Sequence, residues 1–161
     1  MTPVETIRAA LDEGGLEYEN PEPGAFFVKL PGQHKLATMC WLVAGAHALL
    51  VEAFVVRKPD ENHQAFYEFL LRRNSRLYAV GFSIDANGDV YLVGRLPHSV
   101  VTKEEVDRIL GSVLEYADGS FDPLLELGFA GSIRREWQWR QKNGMPTTNL
   151  QAFARFADPD R

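Results

Sequence analysis

The longest apolar run in the chain covers residues 36–56 and is interrupted by Thr38, Gly45, His47 and Glu52. It is as long as a membrane span. A carboxylate near the centre of a spanning helix would cost about 3 kcal/mol, however, whereas a turn at Ala44-Gly45-Ala46-His47 divides the run into two strands and accommodates every residue. The predicted strands cover residues 35–43 and 48–56, ended by Arg57-Lys58-Pro59-Asp60. Both are apolar at nearly every position, which predicts central strands covered on both faces, or one face closed by a partner.

Periodicity places the remaining elements around this hairpin. Thr2 is a helix cap for Ile7, Ala10 and Leu11 at helical spacing, and Gly14-Gly15 is the stop. Residues 17–24 are acidic and carry Pro21 and Pro23, predicting a loop after a short strand at 16–18. Residues 25–30 are strand formers closed by Pro31-Gly32. Asn62 is the expected cap of a helix through Asn74, with Phe66, Phe69, Leu70 and Arg73 on one stripe. Strands at 77–84 and 90–96 flank Asp85-Ala86-Asn87-Gly88-Asp89, whose Asn-Gly pair supplies the positive φ of a tight hairpin.

Thr102 and Glu105 have the spacing of a capping box, and Val106, Ile109, Leu110, Val113, Leu114 and Ala117 repeat as a helix that Gly119 is expected to end. A short helix at 123–127 and a basic one at 133–142 follow, then a tail over 143–161 predicted to be extended, with Leu150, Phe153 and Phe156 as anchors. The order is α-β-β-β-α-β-β-α-α. This is an α+β domain over residues 1–142, with an antiparallel sheet of about five strands and helices packed on it.

Three local phrases add a family to this architecture. They are Phe66-Tyr67-Glu68-Phe69-Leu70-Leu71-Arg72-Arg73-Asn74, Gly88-Asp89-Val90-Tyr91-Leu92-Val93-Gly94-Arg95-Leu96 and Ser132-Ile133-Arg134-Arg135-Glu136-Trp137. Together with the element order they resemble the actinobacterial branch of the YbjN family of proposed bacterial sensory transduction regulators. That family is similar in fold to the type III secretion chaperones, small acidic α+β dimers that hold unfolded segments of other proteins. The resemblance implies a fold and a mode of binding, and it carries no catalytic residues. The Trp- and Arg-bearing C-terminal extension is a departure from those chaperones.

Charge narrows the partners. Seventeen basic and 22 acidic side chains leave a net charge of −5, unfavourable for a nucleic-acid phosphate backbone. Residues 1–131 carry net −8 and residues 132–161 net +3, so an anion-seeking surface would lie at the C-terminal end. Cys40 is the single cysteine, which leaves no intrachain disulfide and suits a reducing compartment. The opening Met1-Thr2-Pro3-Val4-Glu5 lacks a signal-peptide progression, and a cytoplasmic location with no membrane association is expected.

Enzyme and metal signatures are weak. Asp85-x-Asn87-x-Asp89 starts like a calcium loop, but the glycine falls one position early and Leu96 stands where a bidentate Glu is required. Cys40 sits in an apolar strand, where burial would make a thiol inert despite His34 and His47. His34, His47, His63 and His98 share no ligand spacing, and Ser83 lacks a nucleophile elbow. No enzyme activity, metal or cofactor is predicted.

The remaining functional candidate is the cluster Arg134, Arg135, Trp137, Trp139 and Arg140, with Lys142, because Trp and Arg predominate at interface hot spots. An alternative packs Ile133 and Trp137 on the core and leaves the arginines solvated beside partners such as Glu126. The leading expectation is a protein-binding module, chaperone-like or regulatory, with homodimer formation closing the apolar strands; the alternative is a small-molecule-sensing regulatory domain. The tail, through Phe153 and Phe156, could instead cover the open side of the sheet within one chain.

Overall fold

A computed structural model describes residues 1–160. Helix α1, Pro3–Glu13, starts at a reciprocal cap in which Glu5 N–H donates to Thr2 Oγ1 (3.2 Å) and Thr2 N–H donates to Glu5 Oε2 (2.8 Å). It buries Ile7, Ala10 and Leu11 and leads into four consecutive strands: β1 Glu17–Glu22, β2 Ala25–Pro31, β3 Ala37–Ala44 and β4 Ala48–Val56. Helix α2, His63–Asn74, follows, then the hairpin of β5 Gly81–Ile84 and β6 Val90–Pro97. All pairings are antiparallel, in the order β1-β2-β3-β4-β6-β5.

The α+β class and the hairpins agree with the sequence pattern. The sheet has six strands, because residues 17–22 pair with β2 where a loop was expected. Strand β5 is shorter than the predicted 77–84: Ala79 sits at φ 65° and breaks the extended run. Asn74 then replaces a missing neighbour at this edge, its Oδ1 accepting from Phe82 N–H (2.7 Å) and its Nδ2 donating to Phe82 O (3.1 Å).

Asn62 occupies the N-cap position of α2 but is left-handed (φ 56°) and makes no side-chain cap bond, contrary to the expected role. Only half of the predicted capping box forms at Thr102, whose Oγ1 accepts from Glu105 N–H (3.1 Å). The Glu105 carboxylate turns away to Tyr78 and Arg108.

The largest departure is α3, Lys103–Lys142, two helical halves joined at a kink in place of three separate helices. Gly119 does not end it: the continuous buried stripe Val113, Ala117, Ser120, Leu124 outweighs the roughly 1 kcal/mol helix penalty of a glycine. The break comes later, at Phe129 (φ −138°, ψ 18°). There the Gly128 carbonyl accepts from two loop donors, Asp60 N–H (3.0 Å) and Glu61 N–H (3.3 Å), and Glu61 Oε1 accepts from Gly131 N–H (2.7 Å). Outside groups inserted into the helix ladder bend it. Gly128 is required for this approach, since a Cβ there would lie 2.8 Å from Phe66 and Pro59.

The tail also differs from the extended form expected. Residues Thr148–Phe153 make a 3-10 turn and Ala154–Ala157 a short helix, α4, both packed on α3 with Phe153, Ala154 and Ala157 buried.

Candidate binding surface

Period-two alternation in β2, β3, β4 and β6 sends one set of side chains under the helices. Phe26, Val28, Cys40, Leu42, Leu49, Val51, Ala53, Val90 and Leu92 are fully buried and share one core with α1, α2 and α3. Thr38 is buried among them with its hydroxyl unpaired.

The intervening residues form the opposite face, and they are apolar as well. Phe27, Met39, Trp41, Val43, Leu50, Phe54, Tyr91 and Val93 stand there, none of them packed against the core. The register sets Phe27 beside Trp41 across β2 and β3, with ring centroids 4.4 Å apart, and Phe54 beside Tyr91 across β4 and β6, at 5.5 Å. The rim carries Glu17 and Lys29, paired at 3.8 Å, together with Glu19 and Arg95. Glu52 lies in the middle of the patch, between Trp41 and Val93 in the register. Among the described residues neither Glu52 nor Arg95 forms an ion pair within the chain. The tail does not cover this face, because it folds back on α3. An apolar patch of eight side chains with a charged rim is the composition of a macromolecular contact surface.

The Arg/Trp cluster is dispersed around its helix. Ile133 and Trp137 point into the core, the latter with its indole N–H buried and unpaired. Arg134 Nε donates to Phe156 O (3.2 Å) and its guanidinium lies 5.4 Å from the Phe156 ring, while Arg140 bonds Glu136 (2.8 Å) and Pro146 O (3.1 Å). These two arginines hold the C-terminal segment. Arg135 reaches Ser132 Oγ (3.1 Å), and Trp139 is the member left 53% exposed. Glu126 pairs with Arg155 from the tail, not with the helix arginines.

The other sequence candidates are likewise placed. Burial pushes the Cys40 thiol up to about 12, which leaves no thiolate at neutral pH. His34 Nδ1 is 2.9 Å from Asp122, while His98 belongs to the turn after β6 and His63 to the start of α2. Asp85 Oδ1 accepts from Asn87 and Asp89 N–H (2.9 and 3.0 Å), so this carboxylate closes the hairpin turn, with Gly88 at φ 84°. No group of three or more metal-ligating side chains converges among the described residues. No helix among them is long and apolar enough to cross a membrane.

The fold matches that of the type III secretion chaperones. The Yersinia pestis chaperone SycH, solved in complex with a fragment of YscM2, superposes with a TM-score of 0.55 at 19% identity, over 72% of this chain and 97% of that one. The Pseudomonas aeruginosa ExoU-SpcU complex gives 0.53 at 16% identity, over 75% and 96%. The ExsC-ExsE complex gives 0.53 at 20%, over 75% and 92%.

Within that fold the chain belongs to the YbjN family, whose family model, described as "Putative bacterial sensory transduction regulator", matches residues 3–126. It is 53% identical to "Uncharacterized protein Rv0487" of Mycobacterium tuberculosis over 153 residues, 92% of this chain and 84% of the relative. It is 51% identical to "Uncharacterized protein ML2442" of Mycobacterium leprae over 133 residues, 83% and 72% respectively. The expected fold and family therefore hold.

The residue that sequence reasoning passed over is Trp41, with its neighbours on the same face. The signal was present in the absence of polar alternation along β3 and β4.

Proposed function

We propose that the protein is a non-enzymatic binding module that holds an apolar segment of another protein on the open face of its sheet. The observation that carries this reading is the uncovered patch centred on Phe27, Trp41, Leu50 and Val93. Proteins of the same fold solved with partner segments, such as SycH with its YscM2 fragment, support the mode of action. Binding is favoured over catalysis because Cys40 is sealed in the core and the histidines lie on separate elements. Glu52, a carboxylate amid apolar side chains, would select a segment carrying a basic residue. The exposed Trp139 is a secondary contact on this account, and Arg134 and Arg140 act through the tail they hold.

The test is affinity capture from the native cytosol with quantitative mass spectrometry. A specific protein retained by the wild-type chain and lost with Trp41→Asp and Leu50→Asp, both still folded, is the expected result. Retention by both variants would remove the face from the account.

One observation also supports self-association as the resting state. Leu50, Glu52, Val93 and Arg95 form a quadrilateral in the register, with Leu50 opposite Arg95 and Glu52 opposite Val93. A twofold axis along the Leu50–Val93 diagonal would lay each Glu52 on the Arg95 of the second copy, an isologous contact. Light scattering would then give about 36 kDa, twice the 18.1 kDa chain mass, and Arg95→Glu would return the monomer. A wild-type monomer at micromolar concentration would end this second reading.

A further inference from the structure

Where the end of β4 meets the kinked half of α3, the surface opens into a groove of about 590 Å³. Its walls are Val55, Phe121, Leu125, Phe129, Ile133 and Leu150, so it is apolar along most of its length and owes its depth to the bend at Phe129 and the return of the tail. The volume falls within the range of small-molecule sites, which combine apolar walls with a few placed polar groups.

The polar group here is Lys35. Its ammonium sits between the rings of Phe54 and Phe121, 5.5 and 5.4 Å from their centroids. It donates to the carbonyls of Val55 (2.8 Å) and Phe54 (3.3 Å). An ammonium has three protons, so one donor remains. Asp118 on α3 fixes the loop that delivers this side chain: its carboxylate accepts from the N–H groups of Gln33, His34 and Lys35 at 3.0–3.2 Å. That carboxylate is committed to backbone and makes no ion pair with Nζ. Burial lowers the Lys35 pKa, the mark of a partly desolvated cation. The second cation at the groove, Arg57, already carries a carboxylate partner, Asp60 (2.7 and 3.2 Å). Glu136 on the opposite wall is bonded to Arg140.

We propose that this groove binds a small amphipathic carboxylate, an aliphatic acid whose head meets Lys35 Nζ and whose chain lies along Phe121, Leu125, Phe129, Ile133 and Leu150. An anion completes the donor set of a cation that feels Asp118 only at a distance and has no carboxylate in direct contact, and the apolar wall buries a hydrocarbon chain. This goes beyond segment binding on the open face and uses different side chains, except that Phe54 borders both. Each added methylene should raise affinity by about two- to fourfold until the groove is full.

The test is displacement of a dansyl-labelled undecanoate from the full-length protein, followed by fluorescence. Saturable one-to-one binding is expected, displaced by decanoate and more tightly by laurate, and at least tenfold more weakly by dodecanol. Lys35→Met should weaken laurate at least tenfold, Lys35→Arg should retain it, and Ile133→Trp, which fills the groove, should abolish it. Trp41→Asp should bind laurate as the wild type does, which separates this site from the open sheet face. Equal displacement by laurate and dodecanol, unchanged affinity in a folded Lys35→Met variant, or displacement by an apolar peptide amide as readily as by laurate would each overturn the proposal.

Discussion

The two faces of this sheet are built from the same strands by the same kinds of residue, yet they have different fates. On one, Val28, Leu42, Val51 and Leu92 are fully buried beneath helices. On the other, one residue along each strand, Phe27, Trp41, Leu50 and Val93 are only half-buried and do not pack against the core. Hydrophobicity alone therefore does not decide what becomes core. The helices choose a face, and all of them go to the same side because α3 spans the sheet and carries α1, α2 and the tail with it. What remains on the other side is free for intermolecular contact.

The largest effect should come from placing the same charge on each face. Leu42→Asp would bury an unpaired carboxylate and should cost about 4 kcal/mol or more, enough to unfold much of the population. Trp41→Asp loses the Phe27 ring contact and should cost only about 1 kcal/mol. Chemical denaturation of the two variants measures the contrast, and equal losses would mean the open face is also structural.

Next in size is the fit of the covered side. Gly128→Ala pushes a methyl into Phe66 and Pro59 and should cost about 2 kcal/mol, read as a fall in denaturant midpoint. A smaller change would show that the kink at Phe129 can relax.

Acid should also affect the covered side first. Burial alone would raise the Asp118 pKa, but the N–H groups of Lys35, His34 and Gln33 bring it below its ordinary 3.8. Asp60 is held at about 2, by Arg57 first and then Ser132. Folded values below the unfolded ones mean that both carboxylates stabilise fully above about pH 4 and lose that contribution as pH falls through their folded values. Melting temperature should fall on acidification, and Asp118→Asn should flatten part of that slope. The smallest effect is Thr102→Ala, about 1 kcal/mol from loss of the Glu105 N–H bond, measured by the same denaturation curves.

The sequence made the strands and hairpins legible because Asn87-Gly88 and the Ala44–His47 turn are local signals. It also showed the i, i+4 pair of Ile133 and Trp137, which does enter the core. It did not show the continuity of α3, since Gly119 and Pro123 argue locally for breaks that long-range packing overrides. A helix break near Gly128 and Gly131 was legible, but not that Asp60 and Glu61 arrive from elsewhere in the chain to fix it at Phe129. The open face was visible only as two ambiguous apolar strands: residue order gives two faces but not the one the helices take. The Lys35 groove was invisible for the same reason, being assembled from β4, α3, the tail and a loop pinned by Asp118.

The most direct measurement is site-specific photo-crosslinking with benzoylphenylalanine in place of Trp41 and, separately, of Leu71, a 70%-exposed apolar residue on α2. Binding on the open face predicts a discrete protein adduct from position 41, mapping to one peptide of a partner or of a second copy, and only diffuse labelling from position 71. Equal, diffuse labelling from both positions, or a discrete adduct from position 71 alone, would contradict it.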